Sequence, residues 1–167
     1  ATNSSLTIVN ADSASAGTYF VVVSNNVGTA TSLGAKLTVL IPPTINSGPQ
    51  DIVTNSGKLV KLTVIASGSL PMTNRWWRSN GTSNTLVNTS VFSTPTNSST
   101  GYSNAFTFTT TTNQFYYSVV ANSAGSVTSR LVSITIQSPP TITNQPQGVV
   151  TNEGATVFFY VDATGDA

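Results

Sequence analysis

Gly57-Lys58-Leu59-Val60-Lys61-Leu62-Thr63-Val64-Ile65-Ala66-Ser67-Gly68 decides how this chain is read. In extended backbone Val60, Leu62, Val64 and Ala66 share one face, and Lys61 and Thr63 lie on the other. That period of two, carried by β-branched residues, marks a strand with one buried side. A shift of 97 residues brings the pattern back as Gly154-Ala155-Thr156-Val157-Phe158-Phe159-Tyr160-Val161-Asp162-Ala163-Thr164-Gly165.

The same shift works outward in both directions. It carries Pro42-Pro43-Thr44-Ile45 onto Pro139-Pro140-Thr141-Ile142, and Val53-Thr54-Asn55 onto Val150-Thr151-Asn152. Earlier in the chain it carries Tyr19 onto Tyr116, Val22-Val23 onto Val119-Val120, Asn25 onto Asn122 and Gly28 onto Gly125. A constant shift means one module of typical domain size, repeated in tandem. Residues 42–138 are expected to hold one complete module. Residues 1–41 match only the last part of a module and 139–167 only the first part of another. Both ends are therefore expected to cut through a domain, completed by further chain or by strands from another copy.

Composition narrows the function. Only 7% of the 167 residues are charged, where about 25% is usual, and Ser, Thr and Asn supply 67 of them. Cysteine and histidine are absent, which removes thiolate and imidazole chemistry and the usual zinc sites. Six cations in the whole chain make no basic stripe for nucleic acid. No apolar run reaches the ~18–20 residues of a membrane helix, and no signal peptide opens the chain. Short alternating strands between polar turns predict an all-β fold of two packed sheets.

The residues then carry a resemblance. Gly57-x-x-Val60-x-Leu62-x-Val64-x-Ala66-x-Gly68 followed by Trp77, the Asn80-Gly81 turn, Tyr116 and Asn122-x-x-Gly125 resembles the cysteine-free immunoglobulin-like domains, close to the intermediate set, that occur in tandem in large bacterial surface and secreted proteins. The resemblance implies an end-to-end array of immunoglobulin-like β-sandwich modules. It makes Val64 the position of the usual first cysteine and Trp77, thirteen residues on, the core tryptophan of strand C. Tyr116 becomes the tyrosine-corner residue, with Tyr19 its counterpart in the preceding module. Ser118 and Val21 fall at the second-cysteine position, so Ser118 puts a hydroxyl in the core that needs a partner. Ser15 and Thr112 stand where a loop-bracing acid is expected, and Asp12 is placed to substitute.

In this register strands E, F and G of the first module fall at 5–11, 18–25 and 34–40. The complete module has A at 43–47, B at 59–66, C at 73–79, E at 104–110, F at 115–122 and G at 129–136; the third module has A and B. The stretch from Thr82 to Ser103 reads as a solvated polar loop suited to O-glycans. The joints Ile41-Pro42-Pro43 and Ser138-Pro139-Pro140 are short and stiff, which predicts a semi-rigid rod.

Candidate sites are few. The acids Asp12, Asp51, Glu153, Asp162 and Asp166 are scattered, and Asp51 alone lies in 42–138. One carboxylate supports neither glycosidase chemistry nor a carboxylate metal cage. No catalytic residue, cofactor or metal is assigned. With Trp77 inside, alternation sets Trp76 outside beside Arg78, with Tyr117 on the adjoining strand. Trp76, Arg78 and Tyr117 form a candidate surface contact: a cross-strand pair that steadies the sheet, a meeting place for modules or copies, or a platform for glycan. The expectation is a non-catalytic structural or adhesive segment of an extracellular stalk, filament or surface protein. Its partners would be neighbouring modules, copies of itself or glycans. The alternative is a glycan-binding or spacer module of a secreted carbohydrate-active enzyme.

Overall fold

The computed structural model describes residues 4–92 and 101–166. A short 3-10 turn, Ser13–Ser15, precedes the strands β1 (Gly17–Tyr19), β2 (Val22–Ser24), β3 (Thr29–Thr31) and β4 (Ala35–Leu37). There follow β5 (Thr44–Ser47), β6 (Ile52–Asn55), β7 (Leu59–Ser67), β8 (Met72–Ser79), β9 (Asn84–Phe92), β10 (Tyr102–Thr109), β11 (Gln114–Asn122), β12 (Gly125–Thr128) and β13 (Val132–Gln137). The last two are β14 (Thr141–Asn144) and β15 (Asp162–Thr164).

Strands β5 to β13 make a sandwich. One sheet runs β10-β7-β5, and the other runs β6-β13-β11-β8-β9 with β12 also paired to β11. All pairings in it are antiparallel except β13 with β6, which is parallel. The core lies between the sheets. Val60, Leu62, Val64 and Ala66 enter it from β7, Met72 and Trp76 from β8, Tyr116 and Val120 from β11, and Val132 and Ile134 from β13. Phe106 and Phe108 of β10 pack against that cluster, and their rings lie 4.8 Å apart. Alternating strands in two facing sheets are how such sequences bury a continuous core.

The flanks are simpler. β1 pairs with β4, β2 with β3 and β14 with β15, each as a two-stranded sheet. Most of their apolar side chains are exposed, including Phe20, Val21 and Val23 before the sandwich and Phe158, Phe159 and Val161 after it.

Four expectations change. Residues 5–11 form no strand, and the strand expected through 157–163 is confined to Asp162–Thr164. The segment from Thr82 to Ser103 read as a loop contains a nine-residue strand, β9; its Phe92 is buried, and Leu86, Val87 and Val91 were masked by their Asn and Thr neighbours. Residues 93–100 of that segment lie outside the described residues. β6 is an added strand, held where Ile52–Asn55 runs parallel to Ile134–Gln137.

Candidate functional site

The tryptophans are the reverse of the expectation. Trp76 is 0% exposed and packs in the core, whereas Trp77 is half-buried on the outer face. The thirteen-residue count from Val64 assumed a longer connection. The link between β7 and β8 is the four residues Gly68–Pro71, and Met72 enters the core at once, so Met72, Asn74 and Trp76 point inward. Trp76 lies over Phe106 with 6.2 Å between rings, and its indole N–H has no hydrogen-bond partner among the described residues. Trp76 therefore leaves the proposed surface contact and Trp77 leaves the core. Val64 and Tyr116 are buried, and Tyr19 is half-buried.

Ser118 finds the partner its burial demands. Its hydroxyl donates to Asn74 Oδ1 at 2.5 Å, and Asn74 Nδ2 donates to Asn104 Oδ1 at 2.9 Å. Ser118 and Asn74 belong to one sheet, and Asn104 to the other, directly opposite Val64. A hydrogen-bonded relay thus joins the sheets at Ser118, one of the two positions where the family resemblance puts a disulfide, and at Asn104, the neighbour of the other. Asn74 and Ser118 are wholly buried, so each depends on this relay.

The two tyrosine corners differ. The Tyr19 hydroxyl donates to the Ser15 carbonyl at 2.6 Å. Asp12 braces that loop: its carboxylate accepts from the Ser15 amide at 3.0 Å and the Ser15 hydroxyl at 2.8 Å. These bonds hold the Asp12 pKa below the usual carboxylate value. In the sandwich the Tyr116 hydroxyl donates instead to the Gln114 side chain, which stands where the first corner has Gly17. There Thr110 braces the loop by donating to the Thr112 carbonyl at 2.9 Å. Burial pushes the Tyr116 phenol up.

Asp51 is fully engaged. It accepts from the Ser133 amide at 2.7 Å and from Arg130 at 3.0 Å, which ties the start of β6 to β13 and lowers its pKa. Among the described residues, no three acidic side chains gather in a way that could hold a metal ion.

The outer face of the larger sheet is the remaining candidate. Trp77 sits directly opposite Tyr117, their rings 6.4 Å apart and within 7° of parallel. Leu86 pairs with Trp77 on the other side, and Arg75 follows two residues before it. Arg78 is exposed at the end of β8 in a cleft of about 390 Å³ that also includes Thr85, Asn113 and Phe115. A second cleft, about 220 Å³, lies at the other end of the face beside Arg75, Thr73 and Ser123. Of the expected contact residues Tyr117 stays on the outer face and Trp77 takes the place of Trp76, whereas Arg78, directly opposite the buried Tyr116, shares Trp76's side of β8 and is exposed only because it lies at the end of the sandwich.

The joints carry a feature the sequence did not announce. The Ile41 amide donates to the Ser69 hydroxyl at 2.9 Å, and the Ser69 amide returns a bond to the Ile41 carbonyl at 3.0 Å. Asn122 Nδ2 reaches that carbonyl too, at 2.8 Å. At the second joint the Ser138 amide donates to Asp166 at 2.5 Å, and the Asp166 amide donates to the Ser138 carbonyl at 3.2 Å. Gly68 and Gly165 let the prolines approach. A Cβ on Gly68, whose φ is +151°, would come within 3.0 Å of Pro43 Cα; one on Gly165, at φ +149°, would come within 2.8 Å of Pro140 Cα.

No family model matches the sequence, and no curated protein matches it significantly. Solved structures do match. The three-immunoglobulin-domain titin fragment I67-I69, as an E-to-A variant, superposes with a TM-score of 0.61 at 20% identity, over 92% of this chain and 54% of that one. The titin I-band fragment I67-I69 itself gives 0.59 at 19%, over 92% and 54%. Extracellular domains 3-5 of Drosophila OTK give 0.51 at 18%, over 77% and 42%. This chain spans about half the length of the titin fragments or less of OTK. At this identity the likeness is one of fold: the chain is all-β, with the architecture of tandem immunoglobulin-like domains.

Proposed function

We propose that this chain is a non-catalytic spacer and adhesive segment of an extracellular stalk, filament or surface protein of the bacterial kind its sequence resembles. Its modules are 1–41, 42–138 and 139–167, joined end to end. The observation that carries this reading is the repeated joint. The same reciprocal pair of hydrogen bonds fastens Ile41 to Ser69 and Ser138 to Asp166, 97 residues apart. A connection clamped to the next module at each repeat suits a part that must hold direction over distance. Asp51 supports the non-catalytic side, because both its oxygens already serve the sheet. Small-angle scattering on the full chain and on a longer array tests the proposal. A rod whose length grows with each module is expected; a compact, folded-back particle contradicts it.

A further inference from the structure

The outer face between β9 and β11 combines features that belong together chemically. At 6.4 Å the Trp77 and Tyr117 rings are too far apart to cover one another face to face, since carbon–carbon contact is ~3.5–4.0 Å. The pair is offset, and both residues are half-buried, so each ring keeps part of its surface for the C–H face of a pyranose ring. Hydroxyl and amide groups line the clefts at either end, with Arg75 beside one and Arg78 beside the other. The run from Thr73 to Ser79 is about 20 Å, long enough for a short oligosaccharide.

Charge selects the kind of sugar. Residues 42–138 contain Lys58, Lys61, Arg75, Arg78 and Arg130 against Asp51 alone. Arg130 is spent on Asp51, while Arg75 and Arg78 have no ion-pair partner among the described residues. A protein partner would favour a charge-depleted apolar centre, and this face instead sets its aromatic pair beside the unpaired Arg75 guanidinium, with Arg78 lining the cleft at the end of the strand. Guanidinium groups match carboxylate and sulfate oxygens. We propose that this face binds a linear anionic glycan, with Trp77 and Tyr117 stacking on the sugar rings, Arg75 engaging its acidic groups on the face, and Arg78 meeting the glycan in the cleft at the end of the strand. The proposal goes beyond the spacer reading, which stands or falls separately on the shape of the array.

The test is binding of the full chain to immobilised hyaluronan, heparin and a neutral cello-oligosaccharide at fixed salt. Hyaluronan presents carboxylates and heparin mainly sulfates, so the two arms show which anion is recognised. Binding to at least one acidic glycan, tenfold or more above the neutral one, is expected. Trp77→Ala and Tyr117→Ala should each weaken it about tenfold, and Arg75→Gln with Arg78→Gln should remove the acidic preference. Tyr117→Phe keeps the ring and should keep binding, which separates a lost site from a lost fold. Lys58→Gln with Lys61→Gln alters charge away from this face and should change little. Equal loss from the lysine pair would reduce the effect to general charge attraction and overturn the proposal. So would the absence of binding to both acidic glycans, or self-association of the chain that Trp77→Ala abolishes, which would give the face to a second copy.

Discussion

Val64 and Val161 are the same residue at the same place in the repeat, yet one is 0% exposed and the other 55%. Their neighbours follow suit: Ala66 is buried and Ala163 exposed, and the nine residues of β7 correspond to only three in β15. Both stretches alternate well. What differs is the opposite sheet, which packs against β7 and is lacking beside β15 among the described residues. An alternating sequence proposes a buried face; a second layer is what removes that face from water.

The largest effect that can break this comparison is at Trp76. Trp76→Ala should cost about 3–5 kcal/mol in urea unfolding, and Trp77→Ala about 1 kcal/mol, the worth of a surface ring pair. A reversed order would mean that the strand β8 faces the other way. Next comes the relay that stands in for a disulfide. Asn74→Ala strands the Ser118 hydroxyl and the Asn104 amide, with an expected loss of about 2–3 kcal/mol. A loss no greater than that of an exposed asparagine would deny the relay its place in holding the sheets. The comparison itself is sharpened by a matched pair. Val64→Ala should cost about 2 kcal/mol, from two methyl groups leaving a packed core, and Val161→Ala less than about 0.5 kcal/mol.

Acid gives the smallest and most local effect. The Asp12 pKa is lowered in the folded chain, chiefly by the Ser15 hydroxyl and amide. Its contribution is therefore present above the unfolded carboxylate value near 3.9 and is lost as pH falls through the lower folded value. The corner around Tyr116 depends on Thr110, which does not titrate. Amide signals of residues 13–19 should loosen below about pH 4 while those of 110–116 hold, apart from what Asp51 releases at β13. Matched behaviour of the two corners would remove Asp12 from its bracing role.

Much of the fold was legible. The alternation at Val60–Ala66, the Asn80-Gly81 turn and the paired Asn-x-x-Gly turns each encode a local conformation. Asn25 and Asn122 both accept from the amides of the turn that follows, as their repeated spacing suggests. The site was less legible. Trp76 and Trp77 are adjacent, and only the four-residue link before Met72 decides which one turns inward. Ser118, Asn74 and Asn104 are separated by 44 and 30 residues, in a chain where asparagine is everywhere, so nothing local connects them. The joint clamp was hidden by substitution. Ser69 and Asp166 differ as letters, yet a hydroxyl and a carboxylate both accept from the linker amide.

Amide hydrogen exchange on the full chain tests the central claim most directly. The account predicts slow exchange, approaching the global unfolding limit, for the hydrogen-bonded amides of β7, β8 and β11. For residues 157–161 it predicts exchange close to that of free chain when residues 1–167 are studied by themselves, with no further strands to cover them, despite their matching sequence pattern. Protection of 157–161 equal to that of 60–64 would contradict it, because burial would then follow from the strand pattern without the facing sheet.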